Sequence, residues 1–266
     1  MKNIVGVVTT TYPNYGLEDA LRGISKAGFK YVELTSAPAF FTHIDPNPED
    51  MTDQDANNVL ALCKKYGLIV HCVAGHTRLM KENAVKNFKK VIDAAKAFGA
   101  AHVTTDTGEV NDEKDKEKFY SDMQEIADYA QKKGVTVCLE MHGNWLNNGL
   151  IGAQIIEKID HPNIRLNYDT ANVMFYGGVK SEDDLVNALP YLGFLHLKER
   201  AGGLKEWKFP APGEGNLDFE KIFDLIKDYK GPISVEIEFD GSEKPLEEID
   251  AAVQKAYDFL KKYGYV

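Results

Sequence analysis

Val135-Thr-Val-Cys-Leu-Glu-Met-His142, Ile164-Arg-Leu-Asn-Tyr-Asp-Thr170, Phe194-Leu-His-Leu-Lys198 and Ile233-Ser-Val-Glu-Ile-Glu-Phe239 are four short runs that read as buried β-strands. Each carries one residue that does not belong in a buried strand: Glu140, Asp169, His196 and Glu236. Desolvating an isolated charge costs several kcal/mol or more, so charged groups avoid the interior unless they are paired or bind metal. One such residue on each of four successive strands has no simple structural explanation. A single metal ion reached by all four would account for them.

Outward from these runs the pattern is regular. Apolar strands at Ile4–Val8, Tyr31–Leu34, Leu68–Val73 and Ala101–Thr105 alternate with stretches of helical period. The clearest of these places Ala84, Val85, Phe88, Val91, Ile92, Ala95 and Phe98 on one face. Several helices stop at a glycine (Gly28, Gly67, Gly99, Gly134), as helix C-termini often do. Later helices are expected around Ile151–Ile159, Leu185–Leu192, Phe219–Ile226 and Leu246–Leu260. Strands alternating with helices form a parallel sheet through right-handed crossovers, and eight such units close into a (β/α)8 TIM barrel. Residues 1–266 are therefore expected to form one single-domain α/β barrel, with no linker or low-complexity segment. An open doubly wound sheet is the alternative, but no Gly-x-Gly-x-x-Gly follows the first strand.

The totals narrow the partners. Net charge is −10, which disfavours nucleic acid and gives no reason for binding anionic membranes. No apolar run approaches the roughly 20 residues that span a bilayer. The opening Met1-Lys-Asn-Ile-Val-Gly-Val-Val lacks a signal-peptide pattern, and Cys63, Cys72 and Cys138 lack CxxC spacing. A cytoplasmic setting with reduced, structural cysteines is expected.

In a barrel of this type the strand C-termini and the loops after them form the active-site face. Side-chain alternation groups His142 with Glu140, Asn167 with Asp169, Lys198 with His196 and Glu238 with Glu236, all pointing inward. The outward set is Leu139, Met141, Tyr168, Leu195, Leu197, Val235 and Ile237, as packing under helices requires. Two Glu, one Asp and one His favour Mn²⁺ or Mg²⁺, with Co²⁺ or Zn²⁺ as alternatives. The competing reading is a set of salt bridges in the barrel mouth, with Lys198 or Arg165 as partners.

Leu139-Glu140, Asp169-Thr170, His196-Leu-Lys198-Glu199, Pro212-Gly-Glu-Gly215 with Asp218-Phe219, Val235-Glu236 and Val32-Glu33-Leu34 resemble the signature of the xylose-isomerase-like sugar isomerase/epimerase superfamily. The resemblance covers the whole chain. It implies one divalent metal held by Glu140, Asp169, His196 and Glu236, with a small sugar or polyol above it. Members include ketose 3-epimerases, hydroxypyruvate isomerase, inosose and dehydroshikimate dehydratases, and a DNA-repair endonuclease. A metal that chelates a carbonyl and the neighbouring hydroxyl acidifies the intervening C–H and stabilises an enediolate. Glu140 and Glu236, three strands apart in a ring of eight, are the candidate proton carriers. Epimerisation or isomerisation is the leading expectation, dehydration the alternative, and a non-catalytic sugar-binding barrel a third.

Candidate substrate contacts are Lys198, His142, His76, Asn172, Arg200 and Trp207. Lys198 could stabilise developing charge or only neutralise carboxylates; His142 could donate to substrate or pair with Glu238. His76 and Asp106 follow the third and fourth strands, where the endonuclease branch has further metal ligands. Two positions depart from the 3-epimerases: Asn172 replaces a His three residues after the metal Asp, and Gly202 replaces an Arg six after the metal His, with Arg200 two places early. Trp145 and Trp207 lie in loops of the active-site face, either over a sugar or anchoring the loop. The apolar Ala37-Pro-Ala-Phe-Phe41 is a candidate homo-oligomer contact or a cap on the barrel mouth.

Overall fold

A computed structural model describes residues 3–266; Met1 and Lys2, the start of the expected first-strand pattern, lie outside the described residues. Eight parallel strands form the barrel wall: β1 (Val5–Val8), β2 (Tyr31–Ala37), β3 (Ile69–Ala74), β4 (His102–Thr105), β5 (Thr136–Glu140), β6 (Ile164–Asp169), β7 (Leu192–Lys198) and β8 (Ile233–Glu236). Each pairs with its sequence neighbours, and Gly6 of β1 stands opposite both Tyr31 of β2 and Ser234 of β8, which closes the ring. The outward-facing residues named above are fully buried between strands and helices, as alternation requires.

Eight helices cover the outside: α1 (Leu17–Ala27), α2 (Asp53–Lys65), α3 (Ala84–Phe98), α4 (Glu113–Lys133), α5 (Gly149–Ile159), α6 (Ser181–Ala188), α7 (Phe219–Leu225) and α8 (Leu246–Lys262). Local chemistry sets their ends. Thr52 and Asp55 form a reciprocal capping box at the start of α2. Gly99 ends α3 at φ 76°, a left-handed conformation that costs a residue with a side chain but not glycine. One expected helix is shorter than its apolar pattern: α6 ends at Ala188, Leu189–Tyr191 is a 3₁₀ turn, and Leu192 already opens β7. Pro190 in that turn has no N–H to continue an α-helix.

Two additions shape the mouth. Phe41–Thr42 folds back antiparallel on the end of β2, pairing with Ser36 and Ala37. A one-turn helix, Asn172–Phe175, follows β6 directly. Lower in the barrel, Cys72, Cys138 and Phe194 form an apolar plug, and all three cysteines are free and buried. Among the described residues no helix is long and apolar enough to cross a membrane.

Candidate metal centre and active site

Glu140, Asp169 and Glu236 are the last residues of β5, β6 and β8, and His196 lies two residues before the end of β7. Strand alternation aims all four into the barrel, where one donor atom from each lies within 4.8 Å of the others. His196 Nδ1 stands 3.2 Å from Glu140 Oε2, 3.4 Å from Glu236 Oε2 and 4.0 Å from Asp169 Oδ2.

The remaining atoms of these groups are tied back to the scaffold. Asp169 Oδ1 accepts the backbone N–H groups of Ala171 (2.8 Å) and Asn172 (2.7 Å), while Oδ2 has no hydrogen-bond partner. Glu140 Oε1 accepts from the Asn172 amide at 3.0 Å, and Oε2 from the Asn167 amide at 3.1 Å. Glu236 Oε1 accepts from the Thr10 hydroxyl at 3.4 Å and leaves Oε2 without a hydrogen bond. His196 uses Nε2 toward Glu33 Oε2 at 3.0 Å and leaves Nδ1 without one.

Those free atoms test whether a metal ion fits. Buried polar atoms are nearly always hydrogen-bonded, yet Asp169 Oδ2, His196 Nδ1 and Glu236 Oε2 are buried and convergent with no hydrogen bond of their own. The charges point the same way. Glu33, Asp106, Glu140, Asp169, Glu236 and Glu238 crowd the site against one ammonium, Lys198, which lies 2.6 Å from Glu238, 3.3 Å from Glu236 and 3.9 Å from Asp169. Burial pushes the Asp169 carboxyl well above its ordinary range; Lys198 opposes the rise, and Glu236 and Glu140 add to it. Glu236 goes the other way: burial raises it, but Lys198 and His196 outweigh that and hold it down to about 2. Burial alone would lower His76, but Glu140 and Asp106 push it up to about 10. Asp169 is thereby disfavoured as a carboxylate, with Glu236 and Glu140 close by and only partial relief from Lys198. An oxygen-rich set with one imidazole suits a divalent cation.

A cavity of about 690 Å³ opens above the centre, lined among others by His76, His142, Tyr176, Lys198, Trp207 and Glu238. A shallower groove of about 810 Å³ runs along α3 and α4 among surface lysines and acids, away from this chemistry.

The model of the xylose isomerase-like TIM barrel family matches residues 21–263. The chain belongs to that family. Over 122 residues it is 35% identical to the L-ribulose 3-epimerase of Methylomonas sp. (strain DH-1), covering 43% of this chain and 39% of that protein. Over 141 residues it is 30% identical to the inosose dehydratase of Serratia proteamaculans (strain 568), covering 44% and 45%. The matches thus span less than half the length of either relative. In structure the chain is similar to D-psicose 3-epimerase with D-tagatose from Clostridium cellulolyticum H10, at TM-score 0.77 and 19% identity over 100% of this chain and 99% of that one. That second likeness is one of fold.

Within this xylose isomerase-like barrel the six candidate substrate contacts separate. His76, His142, Lys198 and Trp207 line the cavity; Asn172 and Arg200 do not. His76 bridges two acids, with Nδ1 3.3 Å from Asp106 Oδ2 and Nε2 3.2 Å from Glu140 Oε2. His142 Nε2 meets the Tyr176 hydroxyl at 2.9 Å rather than Glu238, which pairs with Lys198. Asn172 is committed to Glu140 and to the Asp169 carboxylate. Arg200 is buried; its guanidinium donates to the Gly203 carbonyl and lies 5.7 Å from the centre of the Phe175 ring. Arg165 turns outward to the Pro190 carbonyl and takes no part in the site.

The two tryptophans part company as well. Trp145 packs edge-on against Phe119 and Tyr120 of α4, so it anchors its loop. Trp207 stays 41% exposed at the cavity and packs against Phe175 and Phe209. The Pro212-Gly-Glu-Gly215 motif wraps a buried carboxylate: Glu199 accepts the N–H groups of Arg200, Gly213 and Leu217. A Cβ on Gly215 would lie 2.5 Å from Glu199 Oε1 and 2.3 Å from the Arg200 carbonyl oxygen, so only glycine fits there.

Sequence reading gave no role to Glu33, Thr10 or Tyr176. Glu33 alone carried a signal, an acid within the apolar run of β2. Its partner lies 163 positions away, beyond the reach of local pattern.

Proposed function

We propose that the protein is a divalent-metal-dependent isomerase or epimerase of a small ketose or keto-polyol. The observation that carries this reading is the convergence of three buried donor atoms that lack hydrogen bonds with Glu140 beneath a cavity of about 690 Å³. Glu140, Asp169, His196 and Glu236 would hold the ion. Bound there, it would polarise the substrate carbonyl and stabilise the charge left by proton removal; Mn²⁺ or Mg²⁺ suits the donor set best, with Co²⁺ and Zn²⁺ as alternatives.

The protein's own residues do the rest. Glu140 and Glu236 reach the site from β5 and β8 and flank His196 Nδ1 on two sides. A substrate seated between them offers its acidic C–H to one carboxylate, and the other returns a proton to the opposite face, inverting the centre. Return of the proton to the adjacent carbon gives aldose–ketose isomerisation instead. Lys198, 3.3 Å away, keeps Glu236 ionised. Trp207 and Tyr176 supply apolar surface at the cavity wall against which the carbon skeleton can lie.

Incubating the metal-loaded protein with a panel of ketoses and keto-polyols in D₂O tests the reading. Deuterium at the carbon beside the carbonyl, without loss of water, is the expected result. Absence of exchange across the panel contradicts it. A second reading, dehydration, is favoured by His76, a cavity-lining imidazole held between Asp106 and Glu140 where it can give a proton to a leaving hydroxyl. An unsaturated product would select it. Three free buried cysteines support a reducing, cytoplasmic setting, and Phe40, 82% exposed beside the mouth, supports pairing of copies through the 37–41 loop.

A further inference from the structure

Glu33 lies on β2, across the barrel interior from His196 on β7, and is fully buried. Its Oε1 accepts from the Thr104 hydroxyl of β4 at 2.6 Å, which fixes the carboxylate from one side. Its Oε2 stands 3.0 Å from His196 Nε2, and among the described residues His196 is the only basic group within 4.0 Å of it. A buried carboxylate with one basic neighbour carries a large desolvation cost, so apolar packing does not account for it.

The other side of the imidazole supplies the reason. Nδ1 of the same ring faces Glu140, Asp169 and Glu236 and has no hydrogen bond. A neutral imidazole carries one N–H, and the hydrogen bond made by one nitrogen decides which nitrogen keeps its lone pair. We infer that Glu33 is the positioning residue of the metal centre: its carboxylate holds the proton of His196 on Nε2, fixes the ring plane, and presents the Nδ1 lone pair to the ion. This rests on the metal reading above and assigns Glu33 a part that contact with substrate would not give it. Carboxylate partners of ligating histidines act in this way, and their loss typically weakens metal binding about 10- to 100-fold.

Glu33→Gln separates positioning from packing. The amide keeps the volume and can still accept from His196 and receive from Thr104, but the charge is gone. Calorimetric titration of metal-stripped protein with Mn²⁺ is expected to show binding about 10- to 100-fold weaker than wild type. Melting of the metal-free variant should fall below wild type, because His196 loses its buried carboxylate partner. In Mg²⁺-loaded, ¹⁵N-histidine-labelled protein, the His196 Nε2–H proton should resonate far downfield in wild type and move upfield in the variant. Equal Mn²⁺ affinity in the two proteins overturns the inference and leaves the metal reading standing. So does an affinity loss with no change in the His196 Nε2–H resonance of the Mg²⁺-loaded protein. Wild-type protein that takes up no divalent ion overturns the metal reading, and the inference with it.

Discussion

Glu236 and Glu140 occupy equivalent places at strand ends, but their surroundings differ. Lys198 sits 3.3 Å from Glu236, whereas Glu140 is held by two amides and by His76. A carboxylate that moves a proton cannot be replaced by its amide, whatever its shape. Glu236→Gln should therefore lower solvent exchange roughly 10²- to 10⁴-fold while the circular dichroism spectrum stays that of wild type. Retained exchange would remove Glu236 from the proton-carrying pair. His43 offers a separate test, outside the ligand set. Burial lowers its pKa to about 4, only partly offset by the hydrogen bond to the Tyr15 carbonyl oxygen. Its unfolded value is near 6.5, so between pH 6.5 and 4 the unfolded chain takes up a proton that the folded chain refuses. Stability is then full above pH 6.5 and falls toward pH 4, by roughly 3 kcal/mol from this one group. Urea unfolding should show that extra acid loss in wild type but not in His43→Gln. Parallel curves for the two proteins would contradict the assignment.

At the level of elements, alternation within strands explains what could be read in advance. Leu139, Tyr168, Leu195 and Val235 are fully buried on the outer face, and Glu140, Asp169, His196 and Glu236 face inward between them. Period-2 geometry transmits such information because a strand has only two faces. Loops have no such rule. Arg200 lies two residues past the end of β7, yet the turn through Gly202 and Gly203 takes its guanidinium away from the cavity to the Gly203 carbonyl. Tyr176 reaches His142 only because a one-turn helix follows β6, and nothing in the strand pattern announces that turn. The loop after β7 is organised by a buried acid rather than by a helix. Glu199→Ala removes the acceptor of the Arg200, Gly213 and Leu217 amides. Hydrogen-exchange mass spectrometry should then show faster exchange across 200–217, with the strands protected as before. Unchanged protection of that segment would mean the loop holds itself without Glu199.

Over the whole molecule, eight short strands each contribute little, and the closed ring brings four of them to one point. Glu140 and Glu236 lie 96 positions apart in the chain, yet their ligand atoms stand within 4.8 Å. That convergence gathers acids that repel one another in the absence of a cation, so an ion that binds only the folded barrel must stabilise it. At a hundred times its dissociation constant the gain is about 2.7 kcal/mol, several degrees in melting temperature for a chain of this size. The direct measurement is titration of metal-stripped protein with Mn²⁺ by calorimetry, alongside Asp169→Ala. One site per chain in wild type, a raised melting temperature on saturation, and loss of both in the variant are expected. Wild-type protein that binds no ion, or an Asp169→Ala variant that binds as wild type does, would contradict the metal reading.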